Sequence, residues 1–250
     1  MKLLRAALDF LFAPRANCQG CGSELGSDRD WLCASCYAKL KPLYLTTLVR
    51  EELCETCGGV IRGMGRCEAC GARGSSPFSA AAAYAYEPPV RQLIRGFKFH
   101  SVYRMEDWMA DEMLRACKAA GFPRCDFVQP VPMHWIRQNE RGIDHAARLA
   151  KAFAARADMP YRNVLRRARL TQQQAKQSGA ARRQALADAI RAKANLHGET
   201  VLLIDDVRTT GTTVSQCRKA LAEAGAGRVY VLTLARTERK ERAATDGDRG

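Results

Sequence analysis

Two aspartates at the end of an apolar run, followed by a threonine-rich turn, are the residues of this chain best suited to chemistry. Residues 201–213 read VLLIDDVRTTGTT. Four consecutive apolar residues fit a strand covered on both faces, as in a parallel sheet, and ligands of such sheets gather at the carboxyl ends of the strands. There, Asp205 and Asp206 would accept hydrogen bonds from neighbouring sugar hydroxyls, directly or through a divalent cation. Thr209, Thr210, Thr212 and Thr213 supply hydroxyls, and Gly211 supplies a position without a Cβ. The apolar-periodic segment that follows (Val214, Cys217, Leu221) would aim a helix N-terminus at a phosphate held in the turn. The pattern predicts a site for a phosphorylated sugar; a solvated Asp-Asp turn is the plainer alternative.

A second set of reactive residues lies at the other end of the chain. Eight of the eleven cysteines form four Cys-x-x-Cys pairs: Cys18 with Cys21, Cys33 with Cys36, Cys54 with Cys57, and Cys67 with Cys70. In such a knuckle the second thiolate folds back toward the first, and a following glycine permits the turn, as Gly22, Gly58 and Gly71 would here. Two knuckles make a tetrahedral tetrathiolate site, so about two structural zinc ions are expected, with no ligand position open to substrate. Iron–sulfur clusters usually group three cysteines closely, which disfavours that alternative. Sequential pairing is the simplest arrangement, and an interleaved one stays open. Cys117, Cys125 and Cys217 lie outside the pattern and read as small buried apolar residues.

The formal charge is +14, and twelve of those charges lie beyond residue 76. Residues 162–193 hold nine basic side chains against Asp188 alone. A field of that kind suits polyanions: nucleic acid, a phosphorylated sugar or an acidic protein surface. Arg166, Arg167, Arg169, Arg182 and Arg183 are the candidate nucleic-acid contacts, with a solvated arginine-rich face as the alternative. No window approaches 18 uninterrupted apolar residues, which excludes a transmembrane helix. Residues 1–14 make a poor export signal, which argues against a disulfide framework, and read as a short amphipathic packing helix.

These residues need elements to position them. Strands over 78–86, 127–131 and 228–235 alternate with helices over 90–99, 105–120 and 139–157, the order of a doubly wound α/β domain. Residues 71–77 are polar and glycine-containing and mark a boundary. The expected organisation is an N-terminal helix and double zinc ribbon over 1–76, an α/β domain over 77–236, and a disordered tail over 237–250. Separate cores are expected for the first two parts.

The turn at 205–213 resembles the phosphoribosyl pyrophosphate (PRPP) signature of type I phosphoribosyltransferases. That resemblance implies ribose hydroxyls on Asp205 and Asp206 and the 5′-phosphate in the loop of Arg208, Thr209, Thr210, Gly211, Thr212 and Thr213, with Mg²⁺ accompanying PRPP. A module of two cysteine quartets followed by Lys98-Phe99, PVPMH at 130–134, ERG at 140–142, Gln174-Ala175 and the PRPP signature, in that order, resembles the ComF family over roughly residues 12–236. The family resemblance implies a type I phosphoribosyltransferase-like, doubly wound, mostly parallel sheet with a small N-terminal zinc-ribbon module whose metal ligands are cysteines. It also implies handling of single-stranded DNA on the cytoplasmic side of the membrane during natural transformation, alongside a helicase-like ATPase. Similar loops of the fold contact pyrophosphate, which makes His134, Arg137, Arg141 and Lys98 candidates; residues 166–183, polar, glycine-containing and highly basic, read as a mobile cover. Where the family continues RGFNQ, this chain has RGIDH at 141–145, so a carboxylate and an imidazole replace two amides.

Two functions are therefore expected as alternatives. One is a ComF-type PRPP-binding protein associated with single-stranded DNA in DNA uptake. The other is an active phosphoribosyltransferase passing the ribose phosphate of PRPP to a small acceptor, although no nucleophile with a general-base partner stands out. A zinc-ribbon scaffold with a vestigial site is a third reading.

Overall fold

A computed structural model of the chain describes residues 17–25, 31–45, 54, 71, 78–99, 105–133, 143–167, 190–209 and 211–237. A short helix, α1 (Ala34–Ala38), and a 3-10 turn (Lys41–Leu43) precede β1 (Phe78–Ala85), α2 (Val90–Phe99), α3 (Met105–Ala119), β2 (Phe127–Pro130) and α4 (His145–Ala157). Then come β3 (Leu165–Arg167), β4 (Ile190–Ala192), β5 (Thr200–Arg208), α5 (Thr212–Glu223) and β6 (Arg228–Arg236). Among the described residues the main sheet has the order β1-β6-β5-β2, every neighbour parallel. Strands β3 and β4 form a separate antiparallel ribbon.

The apolar run of β5 explains why this strand lies inside the sheet. Side chains alternate across a strand, and here Leu202 and Ile204 join a core with α2, α3 and α4, while Val201 and Leu203 join a second core with α5 and the ribbon. Each fully buried Val, Leu or Ile side chain contributes about 1.5–3 kcal/mol, so both faces of β5 favour this central place. Asp144 caps α4, accepting the Ala147 backbone N–H at 2.9 Å. His145 is buried, its ring edge-on to Phe97 at 5.1 Å. The residues that replace the two amides of the resembling motif thus have positions in the helix cap and the core.

Two expectations need correction. The strand does not stop at the acidic pair: β5 continues through Arg208, because β6 is long enough to extend the ladder, pairing Asp205 with Thr233 and Arg208 with Arg236. Nor do the two parts have separate cores. Cys18, Leu32, Cys36 and Leu40 share one cluster with Tyr84, Val90, Leu93 and Met105. A segment of this length cannot enclose enough apolar surface alone, so it buries its apolar side against β1, α2 and α3. At Gly20 a Cβ would stand 3.0 Å from Pro89 Cβ and 2.8 Å from Cys36 Sγ, so only glycine lets the knuckle approach this closely. Tyr44 lies 4.6 Å from the Tyr84 ring, centroid to centroid, and its hydroxyl donates to Glu112 Oε2 at 3.0 Å. Glu112 is buried and also paired with Arg115. The expected helix over 1–14, the boundary at 72–77 and the tail beyond 237 lie outside the described residues.

Candidate phosphate and metal sites

Asp205 and Asp206 occupy the C-terminal half of β5, and because they are adjacent in a strand they leave the sheet on opposite faces. Asp206, 7% exposed, meets Lys98 from α2: Lys98 Nζ is 2.7 Å from its Oδ1. Asp205 bends back so that its Oδ1 accepts the Asp206 backbone N–H at 2.9 Å, and its charge is felt at Cys217 in α5. Burial, then the neighbouring Asp206 charge, pushes the Asp205 carboxyl well above the ordinary carboxylate range, with Lys98 opposing. Asp206 thus has a counter-charge in Lys98, whereas Asp205, on the other face, suits a hydroxyl donor or a cation.

After β5 the chain turns through Thr209, exposed, to Gly211, whose φ of 77° and ψ of 5° are left-handed. Nothing lies within 4 Å of a Cβ built there, so the backbone angle alone requires glycine. Gly211 is the N-cap of α5; its carbonyl accepts the Ser215 N–H at 2.9 Å, and Thr212 and Thr213 form the first helical positions. The first turn of α5, at the positive end of the helix dipole, suits an oxyanion. The structure therefore brings together Asp205, Asp206, Arg208, Thr209, Gly211, Thr212, Thr213 and Lys98 on two consecutive elements and one neighbouring helix. Thr210 lies outside the described residues.

The segment carrying His134, Arg137 and Arg141 starts beside this site: Val131 N–H donates to the Ile204 carbonyl at 2.8 Å, one residue before Asp205. Those three side chains themselves are outside the described residues, as are Arg169, Arg182 and Arg183. Of the remaining arginines, Arg166 is exposed and Arg167 half-buried, a difference that follows from strand alternation. Arg167 shares the buried face of the ribbon with Leu165, and its charge reaches Cys217. Arg191 belongs to the basic stretch but is not among the arginines singled out from the sequence; its strand is only three residues long, too short for alternation to register there.

Four thiols converge in the N-terminal segment. The sulfurs of Cys18, Cys21, Cys33 and Cys36 lie within 4.8 Å of one another, and Cys21 Sγ is 3.7 Å from Cys33 Sγ. A tetrahedral tetrathiolate site with bonds of about 2.3 Å needs sulfurs about 3.8 Å apart, so this cluster could hold a metal ion. Cys18 Sγ accepts the backbone N–H groups of Gly20 and Cys33, both at 3.3 Å, as a thiolate ligand would. Ser23, through its hydroxyl and then its backbone, draws the Cys21 thiol down, whereas burial pushes Cys36 up. Gly22 has φ 79°, the turn expected after the second cysteine. Of the second quartet, Cys54 is buried, and Cys57, Cys67 and Cys70 lie outside the described residues. Cys117, Cys125 and Cys217 are all buried, as expected.

Comparison with known proteins bears on these sites. Residues 140–248 match the phosphoribosyl transferase domain family. Competence protein F of Haemophilus influenzae is 27% identical over 228 residues, covering 88% of this chain and 96% of that protein. DNA utilization protein YhgH of Salmonella typhi is 29% identical and that of Escherichia coli K12 is 28% identical, each over 157 residues, 61% of this chain and 69% of theirs. Among solved structures, the allosteric regulatory enzyme of purine biosynthesis (22% identity, TM-score 0.35) and glutamine PRPP amidotransferase from B. subtilis (23%, TM-score 0.36) each align with 52% of this chain. The alignment spans only 25% of each of those longer chains. The matched domain family and the parallel sheet with helices on both faces agree on a type I phosphoribosyltransferase-like fold. The chain is homologous to competence protein F over most of its length and to YhgH over 157 residues, and with its N-terminal cysteine cluster this likeness supports the ComF family.

Proposed function

We propose that this protein binds PRPP at the C-terminal end of β5 and associates with single-stranded DNA during DNA uptake. The observation that supports the reading most is the continuity of Asp205 and Asp206 with the Gly211-capped start of α5. Carboxylates for sugar hydroxyls and the positive end of a helix dipole for a phosphate stand there a few residues apart. Asp205 faces the side of the sheet on which α5 lies and takes a ribose hydroxyl; Asp206 takes the other and is oriented by Lys98. Thr209, Thr210, Thr212 and Thr213 surround the 5′-phosphate, with Arg208 beside them. Mg²⁺ entering with the pyrophosphate adds positive charge near Asp205, since Asp206 already has Lys98. His134, Arg137 and Arg141 follow from a strand end next to Ile204 and are assigned to the pyrophosphate.

The DNA part of the reading draws on the likeness to proteins named for competence and for DNA utilization, and on the basic stretch. A helicase-like ATPase is the expected partner and the cytoplasm the expected place; no helix among the described residues is long and apolar enough to cross a membrane. The four clustered thiols, and the second quartet by the same paired Cys-x-x-Cys pattern, hold zinc. Calorimetric titration with PRPP and Mg²⁺, repeated with single-stranded DNA, tests both ligands. Binding of both is expected, and absence of PRPP binding at millimolar concentration would overturn the sugar-phosphate assignment. The match to the phosphoribosyl transferase domain family favours one second reading, transfer to an acceptor, and release of pyrophosphate from PRPP in the presence of a nucleobase would establish it.

A further inference from the structure

Strands β3 and β4 pair so that Leu165 faces Ala192, Arg166 faces Arg191 and Arg167 faces Ile190. The alternation is strict. Leu165 and Ile190 are buried in the second core and Arg167 is half-buried on the same face, which leaves Arg166 and Arg191 as a directly opposed, exposed pair on the other face. Lys193, two residues beyond Arg191 and also exposed, extends that face, since its N–H donates to the Val164 carbonyl at 2.7 Å and carries the pairing one step further. Its Nζ, among the described residues, reaches the Asn163 carbonyl, at 3.5 Å. Among the described residues no carboxylate lies within ion-pair distance of Arg166, Arg191 or Lys193.

Side chains directly opposite in an antiparallel pair have Cβ atoms about 4.5–5.5 Å apart, and like charges there destabilise the pair. A two-stranded ribbon has little stability to spare. This one is held from below: the buried Gln129 accepts the Val164 N–H at 2.7 Å, and α5 packs against both strands. The two guanidinium groups therefore stand side by side on a fixed ladder and would bind an oxyanion with their planar forks. The ribbon backbone lies between them and Arg167, whose side chain turns toward α5.

We infer that the outward face of the β3–β4 ribbon, built on Arg166 and Arg191 with Lys193 beside them, is a contact surface for the phosphodiester backbone of single-stranded DNA. It is distinct from the Asp205–Asp206 site. The inference rests on the reading of the protein as DNA-associated and names where that contact is made. Neighbouring phosphates of one strand supply the negative charge that no carboxylate among the described residues provides. Among the described residues no base-reading group accompanies the pair, and binding through phosphates alone is indifferent to sequence. Arg167 takes no part in it.

The test is fluorescence anisotropy of a labelled oligothymidylate with the full chain between about 50 and 200 mM salt, where multi-phosphate contacts weaken strongly. Each contact contributes roughly 0.7 to the slope of log affinity against log salt for single strands. Arg166→Gln with Arg191→Gln should lower the slope by about 1.4 on that basis, and Arg191→Gln alone by about 0.7. Arg166→Lys with Arg191→Lys should keep the slope, and PRPP affinity should be unchanged throughout. A matched loss of exposed charge elsewhere, Arg95→Gln with Lys118→Gln, should leave the slope as in the wild type. If the wild type binds but the glutamine variants keep its slope, or if the Arg95 and Lys118 control loses as much, the ribbon assignment is overturned alone. If the wild type does not bind at 50 mM salt, the assignment falls together with the DNA part of the proposed function.

Discussion

Lys98 and Asp206, 108 residues apart in sequence, are joined by a 2.7 Å ion pair that ties the last turn of α2 to the strand carrying the candidate site. The pair is largely shielded from water, with side-chain exposures of 24% and 10%. Lys98 thereby orients one carboxylate of the site while leaving the other, Asp205, to bend toward the backbone.

Removing only the lysine should leave a buried carboxylate without its partner. Lys98→Met is expected to destabilise the protein by about 3 kcal/mol, the lower end of the range for breaking a buried pair. Lys98→Met with Asp206→Leu should recover most of that loss, because no charge is then stranded. Urea unfolding of the four proteins in the cycle measures the coupling, and an additive result would mean that the two groups are energetically independent.

Asp205 should show the opposite sign. Its folded-state pKa is raised, to about 8, by burial and by Asp206. The folded protein therefore holds this proton more tightly than the unfolded chain, and stability falls as pH rises from the ordinary carboxylate range, about 4, toward 8. Asp205→Asn removes that loss. It should match the wild type near pH 4 and exceed it at pH 8 by at least about 1 kcal/mol, while PRPP binding weakens. Denaturation midpoints across that pH range decide the matter; a variant less stable at pH 8 than the wild type would show that the carboxylate is not under strain.

At Gly211 the cost of substitution should come from the backbone, since the space for a Cβ is open. A residue with a Cβ in the left-handed region costs about 1–2 kcal/mol. Gly211→Val should therefore lower stability by that amount and, by shifting the N–H groups that start α5, abolish PRPP binding. Unchanged PRPP affinity by calorimetry would remove this loop from the site.

Because Cys18 and Cys36 share the main core, metal removal should be felt throughout the protein. Chelation, or Cys36→Ser, is expected to lower the melting temperature of the whole domain in a single transition. Two separate transitions in calorimetry would mean that the modules unfold independently. Metal analysis should give about two zinc ions per chain if both quartets are sites.

Much of this is legible from local pattern. The apolar run of β5, the glycine at the start of α5 and the Cys-x-x-Cys spacing each depend on neighbours within a few residues, and each is readable. The end of β5 is not, because it is fixed by pairing with β6, whose residues are distant in sequence. The Lys98–Asp206 pair and the Tyr44–Glu112 hydrogen bond are hidden for the same reason. Asp144 carries a local signal of a helix cap, a short polar acceptor immediately before an apolar-periodic helix; comparison with the amide it replaces obscures that signal. The opposed arginines require the register of β3 with β4, which such short strands, far apart in sequence, do not reveal.

The position of Tyr44 has a consequence for the protein as a population of molecules. Among the described residues β1 is the last strand of its sheet, and Tyr44 forms an isolated antiparallel bridge with Tyr84 on it, while Leu45 packs with Ala82 and Ala85. An open strand edge is a template for pairing with another chain. The segment that follows the cysteine cluster thus guards that edge, and its place depends on the fold the thiolates hold. Destabilising the cysteine cluster would raise the fraction of molecules in which the domain opens and β1 backbone is uncovered, and the first visible sign should be concentration-dependent aggregation.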